Sequence, residues 1–237
     1  MKKIFSLKSL LSMAILVALL YWLEHSVLFV IIAIASIFLH ELGHILPALA
    51  RGVRFSVEFT LLGAQVSYNQ DDYYPQGAFW ATMVSLGGPL VNLVLLAIGL
   101  PLFLNGAEWT QQVGLYLFVL NLYLLAFNIL PTIFLDGGKA GYLILMGTMP
   151  LSAKIALSLY FTLVIYASLV IFSTASWITM VIALFLAAII LGTAFTTPSD
   201  RFSSMAKRET ITAFGFYAVL SLSNLILFFL GISIPTF

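Results

Sequence analysis

His40-Glu41-Leu42-Gly43-His44 is an H-E-x-x-H pattern. On a helix, residues i and i+4 lie one turn apart on one face, so both imidazoles can reach a single metal ion. Glu41 sits beside them, placed to take a proton from a water activated at that metal. Two of the chain's 3 histidines fall in this pattern. Random placement of so few histidines and glutamates would produce it in about one chain in a thousand. The pattern also interrupts an apolar run, Phe29–Leu39 before it and Ile45–Ala50 after it. Ionisable residues in such a run cost at least about 2.5–3.5 kcal/mol each on insertion scales, and they persist where they face a cavity and act there. The competing use of these residues is a hydrogen-bonded cluster that holds helices together. The third histidine, His25, lies in a short polar turn and reads as a solvated residue.

A hydrolytic zinc site needs a third protein ligand and an open coordination position. Glu24, Glu108, Asp71, Asp72, Asp200 and Glu209 fall at the ends of apolar runs, and Glu58 falls in a polar segment. Asp136 differs, because it follows Asn128-Ile129-Leu130-Pro131-Thr132-Ile133-Phe134-Leu135 and precedes Gly137-Gly138. Pro131 breaks a helix and the glycines let the backbone turn, so Asp136 sits where a span ends at the depth of His40 and His44. It is a candidate ligand; a helix-capping role is the alternative. Ser85, Gly88 and Asn92 share one face of another span, where small residues allow close approach and a polar residue can bond across the contact. Pro89 and Pro47 each remove a helical donor, and a kink is expected at Pro89. Asn128, nearer Asp136 than Asn121 is, is the better candidate to contact substrate. Asn92 and Gly63 are further candidates for substrate binding.

The elements that must position these residues are set by composition. Of 237 residues, 62% are hydrophobic and 8% charged, against about 45–50% and about 25% in a soluble domain. Such a chain cannot cover a soluble surface. Soluble enzymes, disordered chains and nucleic-acid binders with a basic face are excluded, and an integral membrane protein remains. No cysteine is present, so thiolate metal sites and disulfides are excluded. The expected fold is an all-α polytopic membrane protein with about seven spans: Ser9–Leu23, Val27–Ala50, Gln76–Leu104, Trp109–Leu130, Ser152–Ser173, Ala175–Phe195 and Thr210–Leu230. The first is read as an uncleaved helix anchored by Tyr21 and Trp22. With the N-terminus in the cytoplasm, all 10 Lys and Arg residues fall on the cytoplasmic side, as the positive-inside rule requires. Between spans two and three, Val53–Tyr68 alternates Phe55, Val57, Phe59, Leu61 with Ser56, Glu58, Thr60, and Gly63 marks a turn. This predicts a small cytoplasmic-side β-hairpin, either a plain connector or an edge that pairs with an extended peptide.

His40-Glu41-Leu42-Gly43-His44, then Gly88-Pro89-x-x-Asn92, then Asn128-x-x-Pro131-x-x-x-Leu135-Asp136-Gly137, in that order on three successive spans, resembles the site-2 protease family of intramembrane zinc metalloproteases. The resemblance covers about Val27 to Tyr142. It implies His40, His44 and Asp136 as ligands of one Zn2+, Glu41 as catalytic acid/base, and Asn128 as a residue that positions substrate or stabilises the transition state. It implies a membrane-tethered protein substrate, such as an anti-sigma or pro-sigma factor, cut within its transmembrane segment near the cytoplasmic side. It also makes the substrate-edge reading of the hairpin more natural. The whole chain, 1–237, reads as one membrane-embedded domain in the cell membrane, with a catalytic core at 27–142 and accessory helices at 150–237. Neither a PDZ-like insertion nor a CBS domain is expected, and no nucleic-acid partner is expected. A transporter-type metal or proton relay also explains buried ionisable groups, but not a glutamate between the two histidines.

Overall fold

A computed structural model describes residues 7–60, 63–129, 135–145 and 205–231. The expected spans Ser152–Ser173 and Ala175–Phe195 lie outside the described residues. Helix α1, Leu7–Glu24, and helix α2, Val27–Ala50, are joined by a two-residue link. His25 takes φ 50, the left-handed region that ends a helix. Ser26 starts α2 by accepting a hydrogen bond on its Oγ from the Phe29 amide at 3.2 Å. One stripe of α2 is buried: Phe29, Ile32, Ala33, Ser36, His40, Glu41, Gly43, His44, Ile45 and Ala48. The opposite face leaves Ile31, Phe38, Leu46 and Leu49 exposed. The polar side chains Ser36, His40, Glu41 and His44 all fall on the buried stripe while large apolar residues cover the opposite face, the arrangement expected of a helix whose solvent is hydrocarbon.

α2 ends in a Schellman motif. Gly52 has φ 66, its amide donates to the Leu49 carbonyl, and the Val53 amide donates to the Ala48 carbonyl, both at 3.0 Å. Those bonds satisfy carbonyls that a helix end leaves unpaired. Val53 is thereby buried with Ala48, Trp80 and Val84. Strands β1, Phe55–Thr60, and β2, Gly63–Tyr68, follow as an antiparallel pair with Val57 opposite Val66 and Thr60 opposite Gly63. Ser56, Glu58, Gln65 and Ser67 are exposed while Phe55, Val57, Ala64 and Val66 are half-buried, so the alternation in the sequence matches the two faces. β1 lies against α1 and β2 against α2. The base of the hairpin is clasped by Arg54, whose Nε and second guanidinium nitrogen donate to the two carboxylate oxygens of Asp72 at 2.6 and 3.0 Å. These bonds hold the Asp72 carboxyl below its usual range. Asp72 belongs to a short helix, α3 (Gln70–Tyr73), capped by Asn69. Tyr68 stacks on Tyr73 and Tyr73 meets Trp80 edge-on, which fastens the hairpin to the next helix.

That helix, α4, runs Ala78–Asn105 through both Pro89 and Pro101. Helix α5, Glu108–Asn128, packs along it through Gly99 and Gly114. A Cβ at Gly114 would meet the Leu102 carbonyl carbon at 2.7 Å, so these backbones touch without side chains between them. α4 also crosses α2 glycine to glycine. A Cβ on Gly43 would strike Gly87, and one on Gly87 would strike the Gly43 carbonyl, the carbonyl that Pro47 deprives of its helical donor. Helix α6, Asp136–Leu145, packs on α4, and helix α7, Lys207–Gly231, packs on α4, α5 and α6. Among the described residues, α2, α4 and α5 are long and apolar enough to cross a membrane, and Leu11–Trp22 of α1 is a shorter apolar stretch.

Candidate metal centre

His40 and His44 enter the site from the buried stripe of α2, and Asp136 enters as the first residue of α6. Asp136 Oδ2 lies 3.1 Å from His40 Nε2 and 3.1 Å from His44 Nε2. The two Nε2 atoms are 3.2 Å apart. All three side chains are at least nine-tenths buried. Three donor atoms from residues as far as 96 positions apart thus form a nearly equilateral triangle. A tetrahedral zinc ion with bonds of about 2.0–2.1 Å has ligand edges of about 3.3 Å, so the donor set and its spacing fit that ion. Three donors, the group found among the described residues, would leave a fourth position for a water, as in catalytic rather than structural zinc sites.

The surroundings orient each of the three donors. His44 Nδ1 donates to the Val84 carbonyl of α4 at 2.7 Å, which leaves the lone pair on Nε2, toward the triangle. His40 Nδ1 lies 3.0 Å from the Asn92 side-chain amide. A neutral His40 that offers Nε2 to a metal keeps its proton on Nδ1, so the amide must face it with Oδ1, which half a turn about χ2 achieves. With the nitrogen in that place, Oδ1 stays buried without a partner among the described residues. Asp136 turns Oδ2 to the histidines, while Lys139, one helical turn on, donates to Oδ1 at 3.2 Å. Tyr68 donates from its hydroxyl to the His44 carbonyl at 3.2 Å, tying the hairpin to the turn that carries both histidines. Gly88 forms the wall over the imidazoles: a Cβ there would lie 2.6 Å from His40 Nε2 and closer still to His44 Nε2.

Glu41 is buried beside the triangle on the same helical turn and is not one of its three donors. Asp136 is the first residue of α6, and its side-chain partners among the described residues are His40, His44 and Lys139 rather than an amide of that helix. Asn92, read as a substrate contact or a packing residue, lies behind His40. Asn128 is half-buried and donates to the Leu124 carbonyl of its own helix at 3.0 Å. Gly63 opens β2 opposite Thr60, away from the triangle in sequence and paired into the hairpin. Sequence reasoning did not assign Val84, Lys139 or Tyr68. Val84 acts through its backbone, which carries no residue-type signal, whereas Lys139 stands three residues after Asp136, a readable i, i+3 pair.

No family model matches the chain. It is similar to "Putative zinc metalloprotease sll0528" of Synechocystis sp. (strain ATCC 27184 / PCC 6803 / Kazusa), with 36% identity over 112 residues. The match covers 44% of this chain and 28% of that protein, so the chain spans under a third of its relative's length.

Proposed function

We propose that the chain is a zinc metalloendopeptidase of the site-2 type, acting inside the membrane on a membrane-tethered protein. The observation that supports this most is the triangle of His40 Nε2, His44 Nε2 and Asp136 Oδ2, built into apolar helices with Glu41 alongside. The similarity to a protein named as a zinc metalloprotease agrees with it. Zinc held by those three atoms would supply Lewis acidity for a water and for the scissile carbonyl. Glu41 takes the proton from the attacking water and later delivers it to the leaving amine. Val84 and Asn92 keep both imidazoles in one tautomer and orientation through the cycle. Asn128 is proposed to position substrate with its Oδ1 and second N–H, which its bond to the Leu124 carbonyl does not use.

A substrate helix hides its carbonyls in hydrogen bonds and must be extended before attack. The hairpin from Phe55 to Tyr68 offers strand edges for that purpose, with Gly63 as a position where a second backbone can approach closely. The substrate class follows the resemblance: a single-span regulatory protein of the anti-sigma or pro-sigma kind. The proposed setting is the cell membrane, with several spans, a cytoplasmic N-terminus and the site toward the cytoplasm.

Purified protein in lipid vesicles, given single-span peptides, tests this. Cleavage is expected that stops when a chelator strips the metal and resumes when zinc is restored. Flux of zinc across the vesicle with no cleavage of any span would overturn the protease reading in favour of transport.

A further inference from the structure

The third ligand sits at the first residue of α6, and a helix does not by itself fix where its first residue stands against a neighbouring helix. What fixes Asp136 must therefore come from its packing. Gly137, the next residue, rests on the backbone of Ile129 at the end of α5: a Cβ there would strike the Ile129 carbonyl and lie 2.7 Å from its Cα. Ile129 is itself buried. Its carbonyl lies past the last helical donor of α5, where helices leave acceptors unpaired, and a buried unpaired carbonyl is costly. Among the described residues, a donor to it is the hydroxyl of Tyr217 on α7, at 3.0 Å and 88 residues away in sequence. Tyr217 is 3% exposed and lies on the buried stripe Ala213, Tyr217, Leu220 of α7. That stripe packs in one core with Ala140, Leu143 and Ile144 of α6.

We propose that Tyr217 is a positioning residue for the metal centre. Its hydroxyl pins the Ile129 carbonyl, the Ile129 backbone seats Gly137, and the seat of Gly137 sets where Asp136 Oδ2 meets the two imidazoles. α7, which supplies none of the three ligand atoms, thereby becomes part of the site's support. The inference rests on the metal-centre reading above.

The test uses the full chain, purified, stripped of metal and titrated with cobalt(II), whose visible absorption reports coordination geometry. Wild type is expected to bind one cobalt. Tyr217→Phe keeps the ring and removes the hydroxyl; it is expected to bind cobalt about tenfold more weakly, with a shifted spectrum. Ser221→Ala deletes a hydrogen bond of the same helix, from Ser221 Oγ to the Tyr217 carbonyl at 2.9 Å, and is expected to match wild type in both readouts. Wild-type affinity and spectrum in Tyr217→Phe would overturn the role of the hydroxyl. Equal changes in Ser221→Ala would overturn it too, since α7 as a whole would then be responsible. Wild type that binds no cobalt would remove the metal centre itself.

Discussion

Glu41→Gln is expected to hold zinc at about one ion per chain and to lower peptide-bond cleavage by about 10²–10⁴-fold. Glutamine keeps the length and planar end group of glutamate but does not accept a proton near neutral pH. The three donor atoms belong to His40, His44 and Asp136, so exchanging Glu41 leaves the ligand set intact. The loss falls on proton transfer, about 3–5 kcal/mol in barrier height. It should appear in kcat rather than in KM, because the group acts in the transition state. Metal content by elemental analysis, read beside cleavage of a single-span peptide, separates the outcomes. A glutamine variant with undiminished turnover would remove Glu41 from the chemistry. One that lost its zinc would make Glu41 a structural partner of the ligands instead.

Gly88→Ala is expected to cost at least ten- to a hundredfold in zinc affinity, the effect usual for disturbing the surroundings of metal ligands. The added methyl would sit against His44 Nε2 and 2.6 Å from both Cε1 and Nε2 of His40. These ring atoms cannot give way cheaply. His44 is tied through Nδ1 to the Val84 carbonyl, and His40 is tied through Nδ1 to Asn92. α4 cannot retreat either, because Gly43 and Gly87 hold it against α2 backbone to backbone. The strain therefore falls on the triangle. A competition titration against a zinc-binding dye checks this, and wild-type affinity in Gly88→Ala would show that α4 stands farther from the imidazoles than its packing places it.

Much of this site is written locally in the sequence. The i, i+4 spacing puts His40 and His44 on one face whatever α2 packs against. Asp136 stands out because a proline and a glycine pair bracket the end of an apolar run at the matching depth. The hairpin is legible because Ser56 and Glu58 alternate with apolar residues, and its register needs only the short connection between Thr60 and Gly63. What could not be read depends on the rotation of one helix against another. The contact of Asn92 with His40 joins residues 52 positions apart, and it forms only because α4 turns its Gly87-Gly88 face to α2. Tyr217 looks like any aromatic residue of an apolar helix until Ile129 is found beneath it. Asn128 was singled out by its place before Asp136, and one N–H of its amide bonds its own helix, a local bond that asparagine has available. The capped turn from Asn69 to Tyr73 was legible only as a polar boundary, and it proves to be the clasp that anchors the hairpin through Asp72 and Arg54.

Zinc per chain in purified wild type and in Asp136→Ala is the most direct measurement of the central claim, that two histidines of α2 and the first residue of α6 share one ion. About one zinc in wild type, and its loss in Asp136→Ala with the protein still folded, is the predicted result. Asp136→Ala that kept zinc at wild-type affinity would contradict the ligand set, and folded wild type that took up no metal would contradict the metal centre altogether.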